Sequence, residues 1–577
     1  MKKFLPLGLL FFLVSSPLFS QVTTSNIRGA VVDDQDVPLF GANVVAVHTP
    51  TGTRYGSITN EDGRYNLLNL RVGGPYEVTI SYVGFKTIAK NDIFLTLGKT
   101  FNYNVAMVSD SQALDEVVVV SDASGTFGSD RTGSETSVGR RELTQLPTIT
   151  RSAQDFTRLE PTSDGNSFGG RNSQYNNFSL DGSIFNNPFG LDAATPGGQT
   201  NAQPISLDAI DQIQVALAPY DVTQAGFTGA SVNAVTKSGT NSLKGTVYTF
   251  FRNQDLTGGK VEGEDIFVPD LTQNQFGISI GGPIVKNKLF FFANFERDQR
   301  EDLGSNFVAN RGQSGNNVSR VSATDLELVS SALSGLGYET GPFEGFLLDT
   351  ESTKGIFKLD WNIDDNNRLA LIYNFLRASR DLTANEFAIG RRGPDATTLQ
   401  FANSGYEINN NIDSFLAELN STFNNGTATN KLQIGYSFFD DFRNPFSTPA
   451  PAINIQQDGV RAIVAGHEPF SINNRLEQRV FQITDNLNFF SGNHTFTVGF
   501  SYENFEFFNS FNLGAYFFGD DRGGVGVFDD FPSVGAFLDA VDSGLIGDAI
   551  TNAENIFASN NAVPIGTPGG WNLAETK

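Results

Sequence analysis

The chain has 577 residues, a length that divides into several domains rather than one. Its formal net charge is −24, with 39 Lys and Arg against 63 Asp and Glu and no concentrated basic run, which excludes a protein that tracks nucleic-acid phosphates. The lack of cysteine excludes a disulfide framework, a thiolate metal site, a catalytic thiol and a lipidated Cys, and His48, His467 and His494 stand too far apart for a histidine-built zinc site.

A mean hydropathy of −0.19 is ordinary for a soluble protein and equally compatible with a β-barrel, whose strands alternate apolar and polar residues and average out in any window. Gly, Asn, Ser, Thr and Phe abound while Met and Trp number two each, a balance that favours strands and turns over helical bundles.

Residues 1–20 begin with Lys2 and Lys3, continue in an apolar run from Phe4 to Val14 and end in small residues around Ser20. That pattern describes a secretory signal peptide, with Gln21 the first mature residue. The run is too short to span a bilayer as a helix, and no later stretch is long and apolar enough.

Residues 22–108 carry five runs with strand chemistry, Ile27–Val32, Ala42–His48, Gly63–Leu68, Tyr76–Tyr82 and Thr100–Met107, separated by turn residues such as Asn60-Glu61-Asp62-Gly63 and Gly73-Gly74-Pro75. The order Gly29, Asp33, Pro38-Leu39, Gly41-Ala42-Asn43-Val44, Thr59-Asn60, Gly63, Tyr65, then Tyr76 to Phe85 resembles the carboxypeptidase regulatory-like β-sandwich. The resemblance implies an accessory spacer domain. His48 is alone, so no zinc site comes with it.

Residues 109–124 read as a flexible linker around Leu114-Asp115-Glu116-Val117-Val118-Val119-Val120, two acids followed by four β-branched residues that prefer an extended backbone. Such a heptad is either an ordinary core strand or a strand offered to another protein's sheet by β-augmentation.

A Gly-, Asn- and Asp-rich region follows at 125–240. Asn177-Phe178-Ser179-Leu180-Asp181-Gly182 is a strand entering a tight Asp-Gly turn, and Ile205 to Val215 reads as a short helix or turn feeding a strand. The region closes on Gly226, Gly229, Val232, Asn233, Thr236 and Lys237, within a Gly-rich turn, a Val-Asn-Ala-Val-Thr-Lys strand and Ser-Gly-Thr-Asn. This string resembles the plug domain of TonB-dependent outer-membrane receptors, and Pro219-Tyr220-Asp221 with the Asn-rich loop 166–190 looks more like their Oar-like branch. The resemblance makes 114–120 the TonB box and makes Asp181, Gly182, Gly226, Gly229, Val232, Asn233, Thr236 and Lys237 the plug motif.

From Lys244 the period becomes two. Phe357, Leu359, Trp361 and Ile363 alternate with Lys358, Asp360 and Asn362, while Leu432, Ile434, Tyr436 and Phe438 alternate with Gln433, Gly435 and Ser437. Leu369, Leu371, Tyr373 and Phe375, and later Phe496, Val498, Phe500 and Tyr502, repeat the pattern. Lys286-Asn287, Asp364 to Asn367, Asn424-Asn425-Gly426 and Ser491-Gly492-Asn493 form tight turns, and long polar stretches such as 301–352 and 379–410 separate other strands. One apolar face, one polar face, short turns on one rim and long loops on the other describe an outer-membrane barrel. A plugged transporter barrel needs about 22 strands, and 244–577 holds nine or ten candidates, so the expectation is a C-terminally truncated fragment with part of a barrel.

The expected fold is mainly β: an N-terminal β-sandwich, an α+β plug domain and part of a transmembrane antiparallel β-barrel. Enzyme chemistry has no support, since neither a Gly-x-Ser-x-Gly elbow nor a phosphate-binding Gly-x4-Gly-Lys-Ser/Thr occurs. Catalytic residues, metal sites and cofactors are expected to be none, with Asp33-Asp34-Gln35-Asp36 and Asp520-Asp521-Arg522 read as solvated turn acids rather than calcium ligands.

The resemblance implies energised uptake of a scarce extracellular ligand across the outer membrane of a Gram-negative bacterium. Its implied partners are TonB and its inner-membrane complex, outer-membrane lipid and the barrel assembly machinery. Two alternatives stay open: a glycan importer with a surface lipoprotein lid, and a non-transporting surface adhesion or assembly protein.

Overall fold

The computed structural model describes residues 22–110, 135–148, 151–164, 167–186, 195, 197–217, 223–224, 227–385, 392–471, 474–491, 494–510 and 527–562. Residues 1–20, expected to be a signal peptide, and the heptad 114–120 lie outside these.

The first eight strands build a two-sheet sandwich: β1 (Ser25–Val32), β2 (Asn43–His48), β3 (Thr53–Ile58), β4 (Arg64–Leu70), β5 (Gly73–Ser81), β6 (Ile88–Leu95), β7 (Thr100–Asn102) and β8 (Val105–Ala106). One sheet runs β4-β1-β7, with β8 also on β1, and the other β3-β2-β5-β6. Strand alternation decides the core: Val44 and Ala46 of β2 meet Val78 and Ile80 of β5 and Ile27 and Val31 of β1 in one buried cluster. The sequence runs above omit β3 and β6. Both are edge strands, and their sequences, Thr-Arg-Tyr-Gly-Ser-Ile and Ile-Ala-Lys-Asn-Asp-Ile-Phe-Leu, carry little of the β-branched alternation that marks a central strand. In β6 the left-handed Asp92 accompanies a register shift against β5.

A second, five-stranded sheet follows. It uses β9 (Glu135–Val138), then, past the small ladder of β10 (Ser163–Asp164) and β11 (Ser167–Phe168), β12 (Asn177–Leu180), β13 (Ser183–Ile184), β14 (Ile210–Ala216) and β15 (Ser231–Thr236), in the order β13-β12-β15-β14-β9. Every described residue of β12, β13 and β15 is buried, because this sheet is enclosed rather than solvated on one face.

Its enclosure is a nine-stranded antiparallel wall. The wall begins at β16 (Lys244–Asn253). After the β17 (Lys260–Val261) and β18 (Glu264–Asp265) ladder it continues through β19 (Leu271–Val285) and β20 (Leu289–Leu303). Beyond β21 (Val308–Asn310) and β22 (Val318–Ser322) come β23 (Leu347–Asn362), β24 (Asn367–Leu382) and, past β25 (Leu399–Gln400), β26 (Tyr406–Phe423) and β27 (Ala428–Pro445). β28 (Ala452–Gln457) and β29 (Val460–Gly466) precede the last two wall strands, β30 (Arg475–Ser491) and β31 (His494–Ser510). Neighbouring wall strands pair in chain order, β16-β19-β20-β23-β24-β26-β27-β30-β31.

The wall inverts the usual rule of burial. Phe357 and Trp361 are 45% and 41% exposed, while Lys358 and Asp360 between them are 6% and 5% exposed. Apolar side chains point outward, as a surface meant for lipid requires, and the inward face mixes polar residues with apolar ones such as Phe292, Ile356 and Ile412 that pack on the enclosed sheet. Tight turns close one rim, with left-handed Asn287, Asn424 and Asn425 at two of them.

The opposite rim carries the long connections, and these differ from the polar stretches expected of the sequence. A helix spans Ala323–Gly335, two more span Val534–Asp542 and Leu545–Ala562, and β25, β28, β29 and β32 (Val527–Phe531) form a sheet in the order β25-β29-β28-β32. Leu326, Val329, Leu333, Phe401, Ile453, Ile463, Phe537 and Ile546 share one apolar core across these connections. The helix Ala323–Gly335 starts where Ser322 caps Asp325, and Leu326, Val329 and Leu333 lie on one face.

Candidate functional site

The seam between the enclosed sheet and the wall sets polar contacts beside an apolar cluster, both built from residues that the strand alternation aims inward. At the Asp181-Gly182 turn, φ values of 50° and 93° make the backbone left-handed at both residues, as a two-residue hairpin between β12 and β13 demands. The Asp181 carboxylate then folds back on β15. It accepts from the Thr236 N–H at 3.0 Å and from Thr236 Oγ1 at 2.5 Å. From the wall, Lys358 Nζ donates to Asp181 Oδ1 at 3.4 Å and to Thr236 Oγ1 at 3.2 Å. All three side chains are buried, and the Lys358 and Asp181 charges are paired with each other.

The contacts repeat around the sheet. Gln482 donates to the Gly182 carbonyl at 2.8 Å and accepts from the Ile184 N–H at 3.0 Å. The φ of 93° favours glycine at 182, and a Cβ there would also have to displace the Gln433 amide, which it would meet at 2.3 Å. Ser206 donates to Glu296 Oε2 at 2.7 Å, and Lys354 pairs with Glu296 Oε1 at 3.1 Å. Apolar packing shares the seam: Phe292, Ile356, Ile372, Leu376, Ile412 and Leu416 of the wall join the buried core of the enclosed sheet, and the rings of Phe185 and Phe439 meet edge to face, centroids 6.0 Å apart.

Within the sheet, Ser179 donates to Asn233 Oδ1 at 2.6 Å, Asn233 donates to Gln214 Oε1 at 3.3 Å, and Gln214 donates to Glu135 Oε2 at 2.9 Å. This chain of amides ties β12, β15, β14 and β9 together across their buried faces. Lys237 extends the same strand to Asp208 at 3.1 Å.

The sandwich meets both other bodies at the tight-turn rim. Arg71 Nη2 pairs with Asp360 Oδ1 of the wall at 2.9 Å, and the Arg368 guanidinium lies over the Tyr55 ring, 4.0 Å from its centroid. Burial works against the Arg71 charge, but Asp360, with Tyr55, Tyr76 and Asp211, outweighs it and raises its pKa above the ordinary value. Burial, helped by the Arg71 charge, pushes His48 down to about 3 and keeps it neutral. Gln212 of β14 accepts from the Leu97 N–H at 2.8 Å and donates to the Leu95 carbonyl at 3.1 Å. Thr23 reaches the wall, donating to Glu418 at 3.0 Å and accepting from Lys431 at 2.5 Å. A cavity of about 800 Å³ lies where the three bodies meet, bordered by Thr23, Arg71, Asp211, Asp360 and Glu418.

Seven of the sequence-selected motif residues, Asp181, Gly182, Gly229, Val232, Asn233, Thr236 and Lys237, stand on the enclosed sheet or its adjoining turns. Gly226 and Leu114 to Val120 lie outside the described residues. The sequence selection omitted the wall partners Lys358, Lys354, Glu296, Glu418 and Gln482. A charged residue on the inward parity of an alternating strand, as in Ile356-Phe357-Lys358-Leu359-Asp360-Trp361, was the available signal. Among the described residues no group of three His, Cys, Asp or Glu side chains is placed to hold a metal ion.

Comparison with known proteins gives two family matches: residues 26–108 to the carboxypeptidase regulatory-like domain and residues 235–311 to the outer membrane beta barrel domain. The TonB-dependent transporter Oar of Myxococcus xanthus is 29% identical over 308 residues, which are 50% of this chain and 27% of that protein. The TonB-dependent receptor P39 of Formosa agariphila is 30% identical over 119 residues, 20% of this chain and 10% of its own length. The chain therefore spans about a quarter of the first relative and a tenth of the second. Among solved structures, the outer membrane transporter YddB of Escherichia coli aligns over 65% of this chain and 48% of its own, with 14% identity and a TM-score of 0.44.

Proposed function

We propose that this chain, an outer-membrane homologue of the TonB-dependent transporter Oar, carries the gate and part of the wall of an energised uptake channel, with the sandwich on the periplasmic side. The enclosed sheet is the gate. The residues 114–120 are the handle, a β-branched segment that adds as a strand to the C-terminal domain of TonB. Asp181, Gly182, Gly226, Gly229, Val232, Asn233, Thr236 and Lys237 belong to the gate motif. No reaction is catalysed; the chemistry is the making and breaking of hydrogen bonds.

The polar contacts set into the seam beside its apolar cluster are the observation that carries this reading. A filler held by apolar packing alone would expose that surface whenever it moved. The Lys–carboxylate pairs and Gln–backbone contacts set into this seam reduce that apolar share, and water satisfies each of their groups as it separates. Lys358 with Asp181, Glu296 with Ser206, and Gln482 with Gly182 are of this kind. The energy to part them comes from the proton-motive-force-driven complex behind TonB.

Deleting residues 114–120 from the full-length protein tests the reading. Capture by the purified C-terminal domain of TonB is expected to disappear, while outer-membrane insertion is kept. Capture that survives the deletion would overturn the assignment of the handle.

A further inference from the structure

We infer that the sandwich is a removable closure of the tight-turn mouth, latched to the wall through Arg71, and that it leaves the wall before the enclosed sheet moves. The inference rests on the reading of 114–120 as the handle. Its evidence is the difference between the two faces on which the sandwich is held.

Toward the wall, the contacts of the sandwich are polar or cationic. Arg71 pairs with Asp360, Arg368 covers Tyr55, and Asn362 donates to Thr53 Oγ1 at 3.0 Å. The Asn241 N–H, at the start of the wall segment, donates to the Pro50 carbonyl at 2.8 Å. Thr23 adds its bonds to Glu418 and Lys431, and each of these polar groups is satisfied by water once the faces separate, so parting these bonds exposes no apolar surface. Toward the enclosed sheet the attachment adds apolar surface: Val72 and Leu97 of the sandwich share a buried cluster with Val235 of β15. Gln212 closes the same junction by bonding Leu95 and Leu97 in both directions. The sheet junction thus adds apolar burial, which water does not replace, to polar contacts of the kind that hold the wall face.

Chain order adds the direction of force. Leu114 stands four residues after Asp110, the last described residue of the sandwich, whereas Glu135 of β9 stands fifteen after Val120. At about 3.4 Å per extended residue these arms reach roughly 14 and 50 Å. Tension on the heptad therefore tightens the sandwich arm first. The load passes through the sandwich to β14 and β15, at the centre of the sheet, before it reaches β9 at the edge.

These 577 residues hold no cysteine, so the introduced thiols are the labelling sites within them. Thr53→Cys places a thiol in the latch face and Ser231→Cys places one in the core of the enclosed sheet. Full-length protein in its native outer membrane is treated with a maleimide that enters the periplasm, in energised and in protonophore-treated cells. The expected result is that labelling of the position 53 thiol rises about tenfold on energisation and precedes labelling at position 231. If the position 231 thiol becomes reactive while position 53 stays protected, the closure inference fails and the uptake reading stands. If neither responds to energisation, both fail. As a second arm, Arg71→Ala in the Thr53→Cys background is expected to raise labelling several-fold without energisation; unchanged labelling would remove Arg71 from the latch.

Discussion

The sandwich and the barrel wall use one strand period and opposite solvents. In β2, the inward residues Val44 and Ala46 are apolar and the outward Asn43 is exposed. In β23, the inward Lys358 and Asp360 are polar and the outward Phe357 and Trp361 are apolar. The period of two fixes only that successive side chains face opposite ways. Which face is apolar is set by what lies beyond it: another sheet for β2, hydrocarbon for β23. Alternation is therefore evidence for a sheet, and the sign of the buried face is evidence for its surroundings.

Substitutions of matched kind sharpen this contrast. Ile80→Asp puts a carboxylate in the apolar sandwich core, and a loss of about 4 kcal/mol or more is expected, enough to leave 22–108 open to limited proteolysis while the wall resists. Lys358→Ala removes a charge from the wall's inner face and strands Asp181. A local loss of about 3 kcal/mol is expected, read as faster hydrogen exchange in β12 and β15 with wall strands unchanged. Ile434→Lys, on the lipid face, is expected to cost about 2–4 kcal/mol near the bilayer midplane, measured by unfolding in lipid vesicles. The same substitution at the outward Val45 of the sandwich should cost well under half as much.

The smallest effect is a pH dependence confined to the sandwich. His48 is pushed down to about 3 in the fold by burial and Arg71, against about 6.5 unfolded. Its neutral form is the one the fold accepts, so stability is complete above about pH 6.5 and is lost as pH falls toward 3, where the unfolded chain alone takes the proton. Between pH 7 and 5 that loss is about 2 kcal/mol, and His48→Gln should flatten the fall in melting temperature over the same interval. An equal fall in the variant would mean other groups carry it.

Much of this architecture was legible in the residues. Asp181-Gly182 announces a left-handed turn because few other pairs tolerate it, and the wall strands announce themselves through runs such as 432–438. The helix Ala323–Gly335 was hidden inside a stretch taken as polar loop. Its 3.6 spacing of Leu326, Val329 and Leu333 is short and sits between strands whose period of two dominates. The seam was legible only by half. An inward Lys358 signals that something polar faces it, but Asp181 lies 177 residues away and nothing local names it. Pairings across such distances come from topology, which composition and period do not determine.

The long-loop rim has an evolutionary consequence. Its core draws Leu326 and Leu333 from the connection after β20, Phe401 from the connection after β24, Ile453 and Ile463 from that after β27, and Phe537 and Ile546 from that after β31. Isolated loops on a barrel diverge one at a time, each trying new shapes at no cost to its neighbours. These connections have given up that independence: a change of length or composition in one leaves a gap in the common core that the others must fill. The four connections change as a single unit, and grafting a single loop from a relative is expected to disturb the other three.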